Sequence, residues 1–162
     1  MDEPIYTEKL QSSLTTVLFV DLSLIFLLLF GWRLPIVGWK FSTGLFLFLG
    51  LFFLFYIFNY RVLQIQIFQE DLILKYGLVR WRTPLNNIQG VALDESPWWI
   101  RYGGAGVHFA MVSGTYQAYY NFLDGPRIRV EFKDKQGPVK ALVFSTHQPG
   151  RVLEHLQGRI SS

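Results

Sequence analysis

The sequence predicts a membrane α-hairpin followed by a mainly-β domain that ends in an α-helix. Three observations predict it. Two long apolar runs stand close together near the N-terminus. Charge density rises abruptly after them. The remainder alternates apolar and polar residues with period two, then switches to helical spacing at its end. The 162 residues are 51% hydrophobic, 17% aromatic and only 17% charged. That charged share is well below the roughly 25% usual for a soluble domain. From Gln11 to Tyr60 only Asp21, Arg33 and Lys40 are charged, whereas residues 61–162 hold twelve basic and eight acidic side chains. The organisation read from this break is an N-terminal tail (1–13), a two-helix transmembrane hairpin (14–60) and a β domain (61–162).

The first apolar run, residues 14–30, and the second, 41–58, each have about the length needed to cross a roughly 30 Å hydrocarbon core. At about −0.3 to −0.6 kcal/mol per Leu, Ile, Phe or Val, the thirteen such residues of the first run favour insertion by roughly 4–8 kcal/mol, against a cost of about 2.5–3.5 for Asp21. Residues 31–40 read as the connection. Their Trp32, Arg33, Trp39 and Lys40 suit the headgroup layer, as Tyr56, Tyr60 and Arg61 do at the opposite ends. The acidic start of the chain and the lack of a small-residue cleavage site argue against a signal peptide. Near the membrane ends, Lys9, Arg61, Lys75 and Arg80 outnumber Arg33 and Lys40. The positive-inside rule therefore places both termini in the cytoplasm of a two-pass protein of the cell membrane.

Candidate strands follow at 63–67, 72–76, 78–82, 89–93, 107–112, 116–120, 127–132 and 139–144. A hairpin turn is expected at Asp134–Gly137. Ser145 and Thr146 can cap a last helix, Pro149 fits its first turn, and Val152, Leu153, Leu156 and Ile160 recur at helical spacing. About seven strands and one C-terminal helix in about 100 residues predict a curved antiparallel barrel plugged at one end by that helix.

The segment Phe68-Gln-Glu-Asp-Leu-Ile-Leu-Lys-Tyr-Gly77-Leu-Val-Arg-Trp-Arg-Thr-Pro84-Leu-Asn-Asn-Ile88-Gln resembles the opening hairpin of bacterial pleckstrin-homology-like (PH-like) domains. The stretch Val143-Phe-Ser-Thr-His-Gln-Pro149, followed by a helix, is similar to the ending of small membrane proteins of that type. The resemblance covers about 100 residues together with the hairpin layout. It implies a PH-like antiparallel barrel carried on a two-helix anchor. It does not imply phosphoinositide binding, because function lies in sites rather than folds.

Catalytic and cofactor chemistry finds little material. There are no cysteines and three histidines. His108, His147 and His155 lack metal-site spacing, and Ser113 and Ser145 lie in no nucleophile motif. The hairpin has no histidine to ligate a haem. Asp94 and Glu95 are neighbours in an expected turn. Tyr102-Gly-Gly-Ala-Gly106 lacks dinucleotide-loop spacing and reads as a tight turn or bulge. The basic residues form no dense stripe for nucleic acid.

Binding carries more signal. An ionisable residue within a membrane span is costly and usually faces a partner or cavity. For Asp21 the alternatives are a protonated carboxyl group, a bond to a local hydroxyl on Thr16 or Ser23, or a polar group on another chain. Leu47 should stand opposite it, with Lys40 about 10 Å away along the axis. Gly44 and Gly50 would allow another helix to approach closely. Trp98 and Trp99 are either barrel core or an interface pair. Lys75, Arg80 and Arg82 are either a basic strand face toward anionic lipid or a solvated strand face.

The expected function is that of a non-catalytic, membrane-anchored module acting as an accessory or scaffolding subunit of a membrane assembly. Partner contacts would involve Asp21, Gly44, Gly50, Trp98 and Trp99. Lipid contacts would involve Trp32, Arg33, Trp39, Lys40, Lys75, Arg80 and Arg82. The alternative is a stand-alone lipid-binding sensor or anchor that uses the basic face. Partners are membrane lipids and other transmembrane subunits or a second copy. No cofactor, metal or nucleic acid is expected.

Overall fold

The computed structural model describes residues 3–96 and 104–160. Strand β1 (Tyr6–Gln11) precedes two long helices, α1 (Ser13–Val37) and α2 (Phe41–Tyr60). Strands β2 (Val62–Ile67), β3 (Asp71–Tyr76) and β4 (Val79–Pro84) follow, then a short 3-10 turn (Leu85–Asn87) and β5 (Ile88–Leu93). The chain continues through β6 (Gly106–Val112), β7 (Thr115–Asn121), β8 (Arg127–Gln136) and β9 (Val139–Ser145), and ends in α3 (Pro149–Ile160).

Both long helices are long and apolar enough to cross a membrane. At 1.5 Å per residue they measure about 37 and 30 Å. The helix α1 runs well past the expected end at Phe30. Residues 31–40 were expected as the connection because the first apolar run ends at Phe30. Pro35 instead sits within the last turn, and the helix stops where Gly38 adopts φ +70 while its N–H donates to the Leu34 carbonyl at 3.0 Å. The connection therefore shrinks to Gly38, Trp39 and Lys40.

The hairpin packs through phenylalanines and one small-residue contact. Phe26 stacks on Phe46 and Phe53, and Phe19 on Phe53. The Ser23 hydroxyl donates to the Gly50 carbonyl at 2.9 Å. A Cβ at Gly50 would come within 2.6 Å of Leu27 Cδ2, so glycine sets this approach.

The tail expected before the hairpin is part of a sheet. Residues 6–11 pair antiparallel with β2, from Tyr6 opposite Ile67 to Gln11 opposite Val62. The strand preceding α1 and the strand following α2 are thus hydrogen-bonded neighbours. One sheet has the order β1-β2-β3-β4, the other β5-β8-β9-β7-β6. The eight candidate strands are present as β2 to β9, joined by β1, and among the described residues they form two sheets rather than a closed antiparallel barrel. One pair is parallel, β7 with β9. It arises because the β8–β9 hairpin lays its second strand between β8 and β7. The turn of that hairpin falls at Gly137 and Pro138, since β8 continues through Asp134 to Gln136.

The two sheets share one core that includes Leu63, Ile65, Leu74, Tyr76, Tyr120, Val130, Phe132 and Phe144. Helix α3 adds Val152 and Leu156 to it. The Thr146 hydroxyl accepts the Gln148 N–H at 3.0 Å, and Pro149 opens the helix, where its missing N–H costs nothing.

Candidate functional site

The joint between hairpin and sheets is built from the ends of both helices. Ser12 caps α1, accepting the Thr15 N–H at 3.0 Å, and its hydroxyl also bonds Asp124. Thr15 Oγ1 accepts the Leu123 N–H at 3.3 Å. The loop between β7 and β8 is thereby tied to the first turn of α1. At the end of α2, Asn59 Oδ1 accepts the Leu78 N–H at 2.9 Å. Gly77, at φ +51, lies so close to Asn59 that a Cβ would collide with it. Gly106, at φ +88, packs against the rings of Tyr56 and Tyr60, and the Tyr60 ring meets Tyr76 edge-on at 5.5 Å. These contacts seat the sheets directly on the hairpin.

Asp21 lies on the outer face of α1, exposed, among the exposed Leu14, Val17, Leu18, Leu24, Ile25 and Leu28. Their spacing of three and four residues makes one stripe turned away from α2, with Asp21 at its middle. Both local hydroxyls are committed elsewhere: Thr16 donates to the Ser12 carbonyl at 2.7 Å and Ser23 to Gly50. Because Ser23 faces Gly50, Asp21 stands level with about Phe52 rather than Leu47. The longer α1 moves the turn and carries Lys40 still further away. Asp21 lies eight residues into α1, about 12 Å along its axis.

The other candidates separate by place. Gly50 is enclosed within the hairpin against Leu27, so it does not serve a partner surface; around Gly44 a Cβ would meet nothing within 4 Å. Trp32, Arg33, Trp39 and Lys40 gather at the end of the hairpin remote from the sheets. There Trp39 packs on Phe30, and the Arg33 guanidinium lies 5.9 Å from the centre of the Phe46 ring. Trp98 and Trp99 lie outside the described residues. Lys75 and Arg80 are exposed and directly opposite each other on β3 and β4, beside the joint. Arg82 is two residues further out and paired with Asp71 at 2.5 Å. The Asp71 carboxylate raises the Arg82 pKa through that hydrogen bond and its charge.

One polar cluster had no sequence signal. On the second sheet Arg127 pairs with Asp94 at 2.7 Å, their side chains only 2% and 1% exposed. Ser96 donates to the same carboxylate at 2.5 Å. Nearby, His108 stacks on Tyr119 at 4.9 Å with nearly parallel rings, and the Tyr119 hydroxyl donates to Gln117 Oε1 at 3.1 Å. Burial, and then the Arg127 charge, push the His108 imidazole below its ordinary value of 6.5. Burial raises the Tyr119 phenol. Asp94 and Arg127 are far apart in sequence, and no local pattern joins them. Among the described residues no three His, Asp or Glu side chains converge as a metal site would require.

No protein-family model matches the chain, and no curated protein or solved structure does either.

Proposed function

We propose that this chain is a non-catalytic membrane module whose sheets form a PH-like domain and whose hairpin docks onto other transmembrane helices. It would act as an accessory or scaffolding subunit with both termini in the cytoplasm. Two sheets around one core with a C-terminal helix packed on it support the PH-like reading, while the parallel β7–β9 pair departs from the antiparallel barrel.

The observation that carries the reading is Asp21. A carboxyl group at mid-stripe costs roughly 2.5–3.5 kcal/mol on insertion scales. Neither nearby hydroxyl bonds it, and no ion pair reaches it among the described residues. A helix from another chain, with a basic or hydrogen-bond-donating residue at the same depth, would offset that cost. The rigid joint would then hold the sheets over the same assembly.

The test is co-purification of the full chain from native membranes in mild detergent, comparing wild type with Asp21→Leu and Asp21→Asn. Loss of a transmembrane partner in the Leu variant, with partial retention in the Asn variant, is the expected result. An identical set of accompanying proteins in all three would overturn the reading.

A further inference from the structure

The turn between β3 and β4 occupies an unusual place. Two residues, Gly77 and Leu78, join the strands, and the Leu78 N–H is bonded to the side chain of Asn59, one residue before the end of α2. With α2 spanning a bilayer, this bond holds the turn at the membrane surface. Its tip is apolar: Leu78 is 85% exposed. Turn positions ordinarily carry Gly, Asn, Asp or Ser, so a bare leucine has no structural need there.

The charges around it point the same way. Lys75 and Arg80 face each other across the two strands. Like charges in that position destabilise a strand pair. Neither has an ion pair among the described residues, and neither does the exposed Arg61 at the end of α2. The acidic residue of the neighbouring loop, Asp124, is engaged by Ser12. Leu78 is thus a hydrophobic point flanked by three cations, at the level where phosphate headgroups lie.

We infer that the β3–β4 turn is a lipid contact. Leu78 enters the interfacial layer, and Lys75 and Arg80 bracket the phosphate of an anionic phospholipid in the bilayer that α1 and α2 span. The inference needs the helices to span but does not depend on Asp21 or on a protein partner. Arg82, one step further from the membrane and already paired with Asp71, is not part of the contact.

The chain has no cysteine, so Leu78→Cys carries a single environment-sensitive fluorophore. Lys135→Cys, exposed at the far end of β8, is the reference. Both full-length proteins are reconstituted into nanodiscs of phosphatidylcholine, alone or mixed with phosphatidylglycerol. The label at 78 should be blue-shifted and quenched by a headgroup spin-labelled lipid, and the label at 135 should not. Phosphatidylglycerol should deepen the shift, and the binding constant for it, read from that increment as its mole fraction is raised, should fall about fivefold for each of Lys75 and Arg80 changed to Ala, corresponding to about 1 kcal/mol per cation. Added salt should shrink the same increment. A label at 78 as wet as the one at 135 in both lipids would overturn the contact. An increment unchanged in Lys75→Ala/Arg80→Ala would overturn the anionic preference. A shift that appears only as protein density in the disc rises would replace lipid by a second copy.

Discussion

Glu8 and Asp21 are both carboxylates set among apolar residues, one in β1 and one in α1, and their surroundings are opposite. Glu8 points into the domain, 7% exposed, where it accepts from the Tyr6 hydroxyl at 2.7 Å, the Thr146 hydroxyl at 2.6 Å and the His147 N–H at 2.7 Å. Three donors converge on it, the Tyr6 hydroxyl from its own strand and those of Thr146 and His147 from one distant segment, so its carboxyl group fastens β1 to the segment leading into α3. Asp21 points out of the hairpin, and the two hydroxyls within reach are bonded to backbone carbonyls instead. Within the sheets, Glu8 and the Asp94–Arg127 pair are matched inside the chain. On the outer face of α1 the match is missing, which directs attention to something outside the chain.

The most severe break of the matched side should come at the buried pair. Asp94→Ala leaves the Arg127 guanidinium enclosed without its carboxylate, and removal of one partner of a buried ion pair costs about 3–5 kcal/mol. Unfolding of the full chain in mild detergent, followed by tryptophan fluorescence, should show that loss. The double change Asp94→Leu with Arg127→Met should recover most of it. Glu8→Ala comes next. It strands three donors, at least one of them buried with the Thr146 side chain, for a loss of about 1–3 kcal/mol. Gln at position 8 should recover part of this, since its amide oxygen still accepts.

The same contrast explains what was legible in the sequence. The period-two segments became β2 to β9 within a residue or two at most ends, because their inward positions are apolar and the pattern is visible. The strand β1 follows the same alternation, with Tyr6, Glu8 and Leu10 inside and Thr7, Lys9 and Gln11 outside. Its middle inward residue is charged, so the apolar signal fails where tertiary donors supply the compensation. The end of α1 was set at Phe30 because the apolar run stops there, whereas Trp32 and Arg33 continue the helix and Pro35 sits in its last turn. Asp94 and Arg127 meet only through the β5–β8 pairing. Asp21 was legible in the opposite way. A lone charge in an apolar run needs no fold to be noticed, but only the structure shows that Ser23 serves Gly50 and leaves it aside.

A smaller effect separates the second sheet from a surface. The His108 pKa is lowered in the folded protein by burial and by Arg127, so the unfolded chain binds the proton more readily. Stability is then full above about pH 6.5 and declines as pH falls below that value. Stability measured from about pH 7.5 down to 5.5 should drop in wild type. His108→Gln should flatten that part of the profile while leaving the higher-pH plateau nearly in place. A wild-type curve with no slope in this window would show that His108 titrates as if in water.

The smallest expected effect is the most discriminating. Asp21→Leu should leave the stability of the purified chain within about 0.5 kcal/mol of wild type, as for an exposed position that makes no contact. Insertion itself should be easier, because the carboxyl's cost is removed and a leucine continues the stripe. The comparison with Glu8→Ala is direct, since each variant deletes one carboxyl group. A loss for Asp21→Leu as large as that for Glu8→Ala would mean that Asp21 is matched within its own chain, and the contrast between the two acids would collapse. Unchanged stability joined to a lost co-purifying partner would place the whole effect of Asp21 outside the chain, which is where its position on α1 directs it.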